Sequence, residues 1–207
     1  MKAPFTFSKE RLALFSDAVF AIAITLLVLK FVVPPLPAAP SESQQVTALL
    51  AMWPQFLVYF IGFATIGIVW LNHHAQFRYV HKITHGMVLA NLLLLAFVAL
   101  IPLPTEALEK VGITRVAVVF YGITLTAIII SYAILYLQIL AAHPEAPMRL
   151  PVIGLIGYPL ATVLGYVVPI GGIIAFAILA GYAMLPRTVQ VMAVRPAGAA
   201  TEVSDAR

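Results

Sequence analysis

Apolar residues in this chain do not recur with the short rhythm of a soluble domain; they run in blocks of about twenty, separated by brief polar punctuation. Six such blocks cover residues 12 to 33, 50 to 72, 86 to 104, 113 to 140, 150 to 168 and 170 to 185. Each reads as a membrane span, which predicts an all-α, polytopic protein with six transmembrane helices and no room for a soluble domain. The punctuation supports these limits. Pro34-Pro35-Leu-Pro37-Ala-Ala-Pro40-Ser41 cannot continue a helix, because proline lacks the amide donor and clashes with the preceding turn. Residues 46 to 53 read as a short lead-in helix, with Pro54 tolerated in the first turn of the second span. The third span is expected to end at Ile101-Pro102-Leu-Pro104, and the fourth to start near Thr114 with a kink at Gly122. Val168-Pro169-Ile170-Gly171-Gly172 is expected to supply the turn of a tight hairpin between the last two helices. Residues 1 to 187 thus form one six-helix transmembrane unit, and residues 188 to 207, small and polar, read as a disordered cytoplasmic tail.

Composition agrees. The 207 residues are 62% hydrophobic and 10% charged, with a mean hydropathy of +1.03, against about 45–50% apolar in globular proteins. The net charge of +4 acquires meaning only through topology. With a cytoplasmic N-terminus and six spans, the inner segments hold Lys2, Lys9, Arg11, Arg78, Lys82, Arg149, Arg187, Arg195 and Arg207, and the outer ones Lys30, Lys110 and Arg115. The positive-inside rule therefore puts both termini in the cytoplasm of a cell-membrane protein. The basic excess calls for no nucleic acid. The first apolar run is longer than a signal-peptide core and carries Asp17, so it reads as a span. The absence of cysteine excludes disulfides, thiolate metal sites and cysteine nucleophiles.

Asp17 is costly where it stands, since a carboxylate inside hydrocarbon is disfavoured by about 2.5–3.5 kcal/mol even on lenient scales. At 100 degrees per residue, Ala18, Ile22, Thr25, Leu26 and Leu29 form one narrow stripe of the first helix, and Asp17 points about 140 degrees away from Ile22. Asp17 therefore calls for partners on other helices. Trp70, His73, His74 and Phe77 recur at three or four residues, so part of the set shares a face. Ser16, Asp17, Trp70, one of His73 or His74, and Asn91 lie at similar depth and suit an interhelical polar cluster. By itself an Ile/Leu stripe at this spacing reads as ordinary core packing, and the Thr25 hydroxyl is compatible with a bond back to the Ala21 carbonyl. His74, His81 and His85 lack accompanying carboxylates or thiolates and sit among Arg78 and Lys82, so no metal site is expected there; a pH-sensing role is open to them. No convergent acid, base and nucleophile points to an enzyme.

Arg11-x-x-x-Phe15-Ser16-Asp17, followed by an Ile/Leu/Thr-rich helix, resembles the signature of the endosomal and lysosomal potassium channel family (transmembrane protein 175 family), in its bacterial single-unit form. The resemblance implies a homotetramer in which the first helices surround the ion path. It puts Ile22 at the narrowest ring, Thr25 at a hydroxyl ring associated with potassium preference, and Leu29, beside Leu26, at a further apolar narrowing. It also implies that the Phe-Ser-Asp motif joins a network with Trp70, His73 or His74, and Asn91. Animal relatives carry two such units, so a single unit implies assembly from copies. Potassium is then the permeant, with no cofactor and no small-molecule substrate, and the partners are further copies and the bilayer. A ring of apolar side chains can gate by excluding water, and no Thr-Val-Gly-Tyr-Gly filter loop is present. Two other classes remain: a proton-coupled secondary transporter using Asp17 and a histidine, and an accessory subunit whose polar cluster only joins helices.

Overall fold

The computed structural model describes residues 8–29, 31–146 and 150–184; the tail expected over residues 188 to 207 lies outside them. The regular structure among the described residues is helical throughout: α1 (Lys9–Val28), α2 (Glu42–Ala51), α3 (Trp53–Phe77), α4 (His85–Leu100), α5 (Pro102–Val111), α6 (Arg115–Ala142), α7 (Val152–Val167) and α8 (Pro169–Ala183). These eight segments make six columns, since α2 runs into α3 and α4 into α5 across single residues, Met52 and Ile101. Four columns are long and apolar enough to cross a membrane: Lys9–Val28, Glu42–Phe77, His85–Val111 and Arg115–Ala142. The other two, α7 and α8, are shorter apolar helices.

Local chemistry explains where the helices start. Ser8, Ser41, Thr84 and Thr114 each accept a backbone N–H in the first turn of α1, α2, α4 and α6, and Ser41 with Gln44 completes a capping box. Prolines open α3, α5 and α8, where the missing N–H would have had no intrahelical partner. This corrects two expectations. Pro102 and Pro104 do not end the third span; they lie in the first turn of α5, which carries the column on to Gly112, whose φ of 79° suits glycine. The turn between the last two helices is Val168 alone, because Pro169 already begins α8. The second column also runs on past residue 72 to Phe77, and α6 passes through Gly122 as one helix of 28 residues.

Helix α6 is the common wall of two apolar cores. One joins it to α1, α3 and α4 through Phe20, Leu27, Ile66, Leu94 and Leu135. The other joins it to α3, α7 and α8 through Val58, Tyr121, Tyr158, Ile173 and Phe176. Glycines set the closest approaches. A Cβ on Gly122 would collide with Thr162 and Phe176, and one on Gly172 would lie 2.5 Å from the Gly165 Cα. Small residues let membrane helices approach until backbones touch. At the margin of this assembly, α1 packs on α3 and α4.

Gly172→Leu should therefore force α7 and α8 apart and destabilise the protomer by about 1–3 kcal/mol, whereas Gly181→Ala, with open space around its Cβ, should be neutral. Loss of the monodisperse species on heating in detergent measures both.

Candidate functional site

Helix α1 has two unlike sides. Leu12, Ser16, Phe20, Ala23 and Leu27 are buried against the rest of the protomer. Arg11, Phe15, Ala18, Ile22, Thr25, Leu26 and Leu29 are exposed, with Ile22 at 58% and Leu29 at 73%. The stripe drawn through Ile22 is therefore the uncovered face of the protomer's marginal helix. Thr25 sits on that face, and its hydroxyl lies within bonding distance of the Ala21 and Ile22 carbonyls at 3.0 and 2.9 Å. Its proton is satisfied within the helix, while its oxygen lone pairs stay available on the exposed side.

The buried side carries a chain of hydrogen bonds across three helices. Ser16 donates to the Leu12 carbonyl at 2.8 Å, so its oxygen is left to accept, and the Asn91 amide donates to it at 2.9 Å. That bond turns the Asn91 carbonyl oxygen toward His73 Nε2, 2.7 Å away. Because this oxygen only accepts, His73 carries a proton on Nε2 and donates it. Ser16, His73 and Asn91 are all fully enclosed. The His73 ring is held between Phe20, at 5.4 Å between centroids, and Phe77, stacked at 4.3 Å. A second link lies closer to the surface, where Trp70 Nε1 donates to Asp17 Oδ1 at 2.8 Å. Asp17 is half-buried and Trp70 lies at the protomer surface.

The two neighbouring histidines diverge. His73 joins the Ser16–Asn91 chain, whereas His74 is exposed, with its ring 6.1 Å from that of Trp70. Arg11 and Phe15 lie outside the hydrogen-bonded cluster, on the exposed face of α1. Further anchors of α1 carry no motif. Gln55 clips the chain after α1, accepting from the Val32 N–H and donating to the Val32 carbonyl, both at 2.9 Å. Phe31 packs on Phe56 and Tyr59 at 4.8 and 5.4 Å, and Lys9 Nζ reaches the Arg78 carbonyl at 3.5 Å. No sequence signal marked these, since a glutamine or phenylalanine near a helix end has many possible partners. His81 lies edge-on to His143 at 5.6 Å, and among the described residues no three His, Asp or Glu side chains are grouped to hold a metal. A cavity of about 350 Å³ between α3, α6, α7 and α8 is lined by no residue of α1.

Comparison with known proteins bears on this helix directly. Residues 11–102, which take in α1 from Arg11 onward together with α2, α3 and α4, match the family described as "Endosomal/lysosomal potassium channel TMEM175". A potassium channel of Streptomyces collinus is 34% identical over 172 residues, covering 76% of this chain and 82% of that protein. The chain belongs to the TMEM175 family. It is thereby a multi-pass membrane protein of a family of ion channels rather than enzymes. The endosomal/lysosomal proton channel TMEM175 of Rattus norvegicus is 42% identical over 132 residues; the match covers 56% of this chain but about a quarter (26%) of that longer protein. The crystal structure of a lysosomal potassium-selective channel TMEM175 homolog from Chamaesiphon minutus superposes with a TM-score of 0.72 at 31% identity. It covers 87% of this chain and 97% of that one.

Asn91 is the junction of the buried chain, so Asn91→Ala leaves the enclosed His73 without its acceptor and removes the donor to Ser16, whereas Trp70→Phe removes one donor from a half-buried carboxylate. Thermal unfolding in detergent should find Asn91→Ala the more destabilising, by about 1–3 kcal/mol.

Proposed function

We propose that the chain forms a potassium-permeable cation leak channel, a homotetramer in which four α1 helices surround the ion path and Ile22 makes its narrowest ring. The observation that carries this reading is the uncovered face of α1. Its exposed apolar side chains centre on Ile22, while its back is fixed by the Ser16–Asn91–His73 chain. An apolar stripe of this kind gains from a partner surface, and four of them meeting about an axis enclose a path that a hydrophobic ring can close by dewetting. Leu26 and Leu29 extend the apolar lining, and Thr25 offers hydroxyl oxygens to a partly dehydrated cation. The relatives support potassium as the permeant, since those named potassium channels include bacterial proteins of which the chain covers 66–82%. On this reading potassium is the permeant and no cofactor is needed. The protein acts in the cell membrane with both termini cytoplasmic. Asp17, turned about 140 degrees from Ile22 and bonded to Trp70, serves assembly rather than ion binding.

The test is cation flux through purified protein in liposomes, with potassium and sodium gradients compared at clamped pH. Potassium-favouring flux independent of a pH gradient is expected; flux that requires a pH gradient would replace the channel by a proton-coupled carrier centred on Asp17. Ile22→Asn should raise conductance and Thr25→Ala should lower discrimination between the two cations. Asp17→Ala should chiefly reduce the tetrameric fraction in size-exclusion chromatography; a normal oligomer without flux would overturn the role given to Asp17.

A further inference from the structure

Arg11 begins the family signature but takes no part in the polar cluster. Its side chain is exposed, and among the described residues it makes no ion pair. Its backbone N–H alone is engaged, by the Ser8 cap at 3.3 Å. On the helical wheel it stands within about 20 degrees of Ile22, about 16 Å nearer the N-terminus. Phe15, 51% exposed, lies on the same line between them. The other charged groups of this end point elsewhere. Lys9 is about 140 degrees from the Ile22 line and reaches the Arg78 carbonyl. Glu10 is about 120 degrees away, and Asp17, about 140 degrees away, is bonded to Trp70. Arg11 is thus the one charged side chain on the exposed stripe of α1 among the described residues.

We infer that Arg11 controls the direction dependence of the current: four guanidinium groups ring the N-terminal mouth of the pore and deplete cations there. This rests on the proposed arrangement of α1 around the ion path. Arginine keeps its charge at any working pH, and side chains on a helix lean toward its N-terminus, which carries Arg11 out into the mouth. The positive ends of the four helix dipoles add to the same field. Cations entering from the N-terminal side meet this raised potential before they reach the apolar ring, whereas cations entering from the other side meet Leu29 and Thr25 first. The ring makes no barrier of its own in concentrated salt, because charges in a water-filled mouth are screened within about 3 Å at 1 M but only over about 20–30 Å near 10–20 mM. Arg11 is on this account a determinant of rectification, and its effect is written in ionic strength.

Single-channel currents at opposite voltages in symmetric potassium chloride test this, at about 20 mM and about 1 M. In the parent the ratio of the two currents should change about two- to fivefold between the salts. R11K, which keeps the charge, should retain that change, and R11Q should lose it and carry more current from the depleted side at low salt. If R11Q keeps the parent's salt-dependent ratio, or R11K behaves like R11Q, the electrostatic role is wrong even where Ile22→Asn still alters conductance. If Ile22→Asn leaves conductance unchanged, the pore reading fails and this inference falls with it.

Discussion

Hydrocarbon offers no hydrogen-bond partner, and every polar group placed in it must find one in the protein. In this fold that requirement falls on a serine, an asparagine and a histidine drawn from three helices. The serine hydroxyl has one acceptor within its own helix, the Leu12 carbonyl, and this fixes in turn the orientation of the Asn91 amide and the donor nitrogen of His73. Each bond is worth only about 1 kcal/mol in a membrane, but rotating α1 by one residue would carry Ser16 away from Asn91 and leave the buried Asn91 amide without its acceptor. The rotation of α1 about its own axis is set by this constraint.

A fixed back implies a fixed front. With Ser16 and Phe20 turned inward, the geometry of an α-helix leaves Ile22, Leu26 and Leu29 outward whatever lies beyond them. The same bonds that satisfy the interior therefore aim the apolar face on which the proposed ion path depends. The Gln55 clip and the Phe31 ring contacts hold the far end of the helix, so α1 is tethered near both ends while one long side remains free.

The rest of the protomer is scaffold for this helix. Helix α6 separates the core behind α1 from the α7–α8 hairpin, and glycines at Gly122, Gly165 and Gly172 let that hairpin close onto it. These helices contribute no charged side chain to the α1 network. They supply van der Waals contact, the main cohesive term once apolar surface already faces apolar lipid.

Much of this was legible in the residues themselves. Six apolar blocks read as helices, because an unpaired backbone is excluded from hydrocarbon, and four of them are long enough to cross a membrane; the Arg-x-x-x-Phe-Ser-Asp signature resembles the channel family on its residues alone. The wheel position of Ile22 relative to Asp17 follows from helix geometry alone. Three-dimensional structure was needed wherever a residue has several acceptable partners. Adjacent His73 and His74 are chemically identical in sequence, and only the neighbouring Asn91 on α4 and the flanking Phe20 and Phe77 decide which is enclosed. Prolines at 102 and 104 read equally as the end of one helix or the first turn of the next, and the packing that carries α5 on to Val111 selects the second. Gly171 and Gly172 read as a turn by composition, yet α8 begins before them and Gly172 serves a backbone contact with Gly165 that no local rule contains. Hydropathy along the chain marks the apolar segments and the polar side chains that need partners among them; packing selects those partners, because pairing depends on distances between segments far apart in the chain.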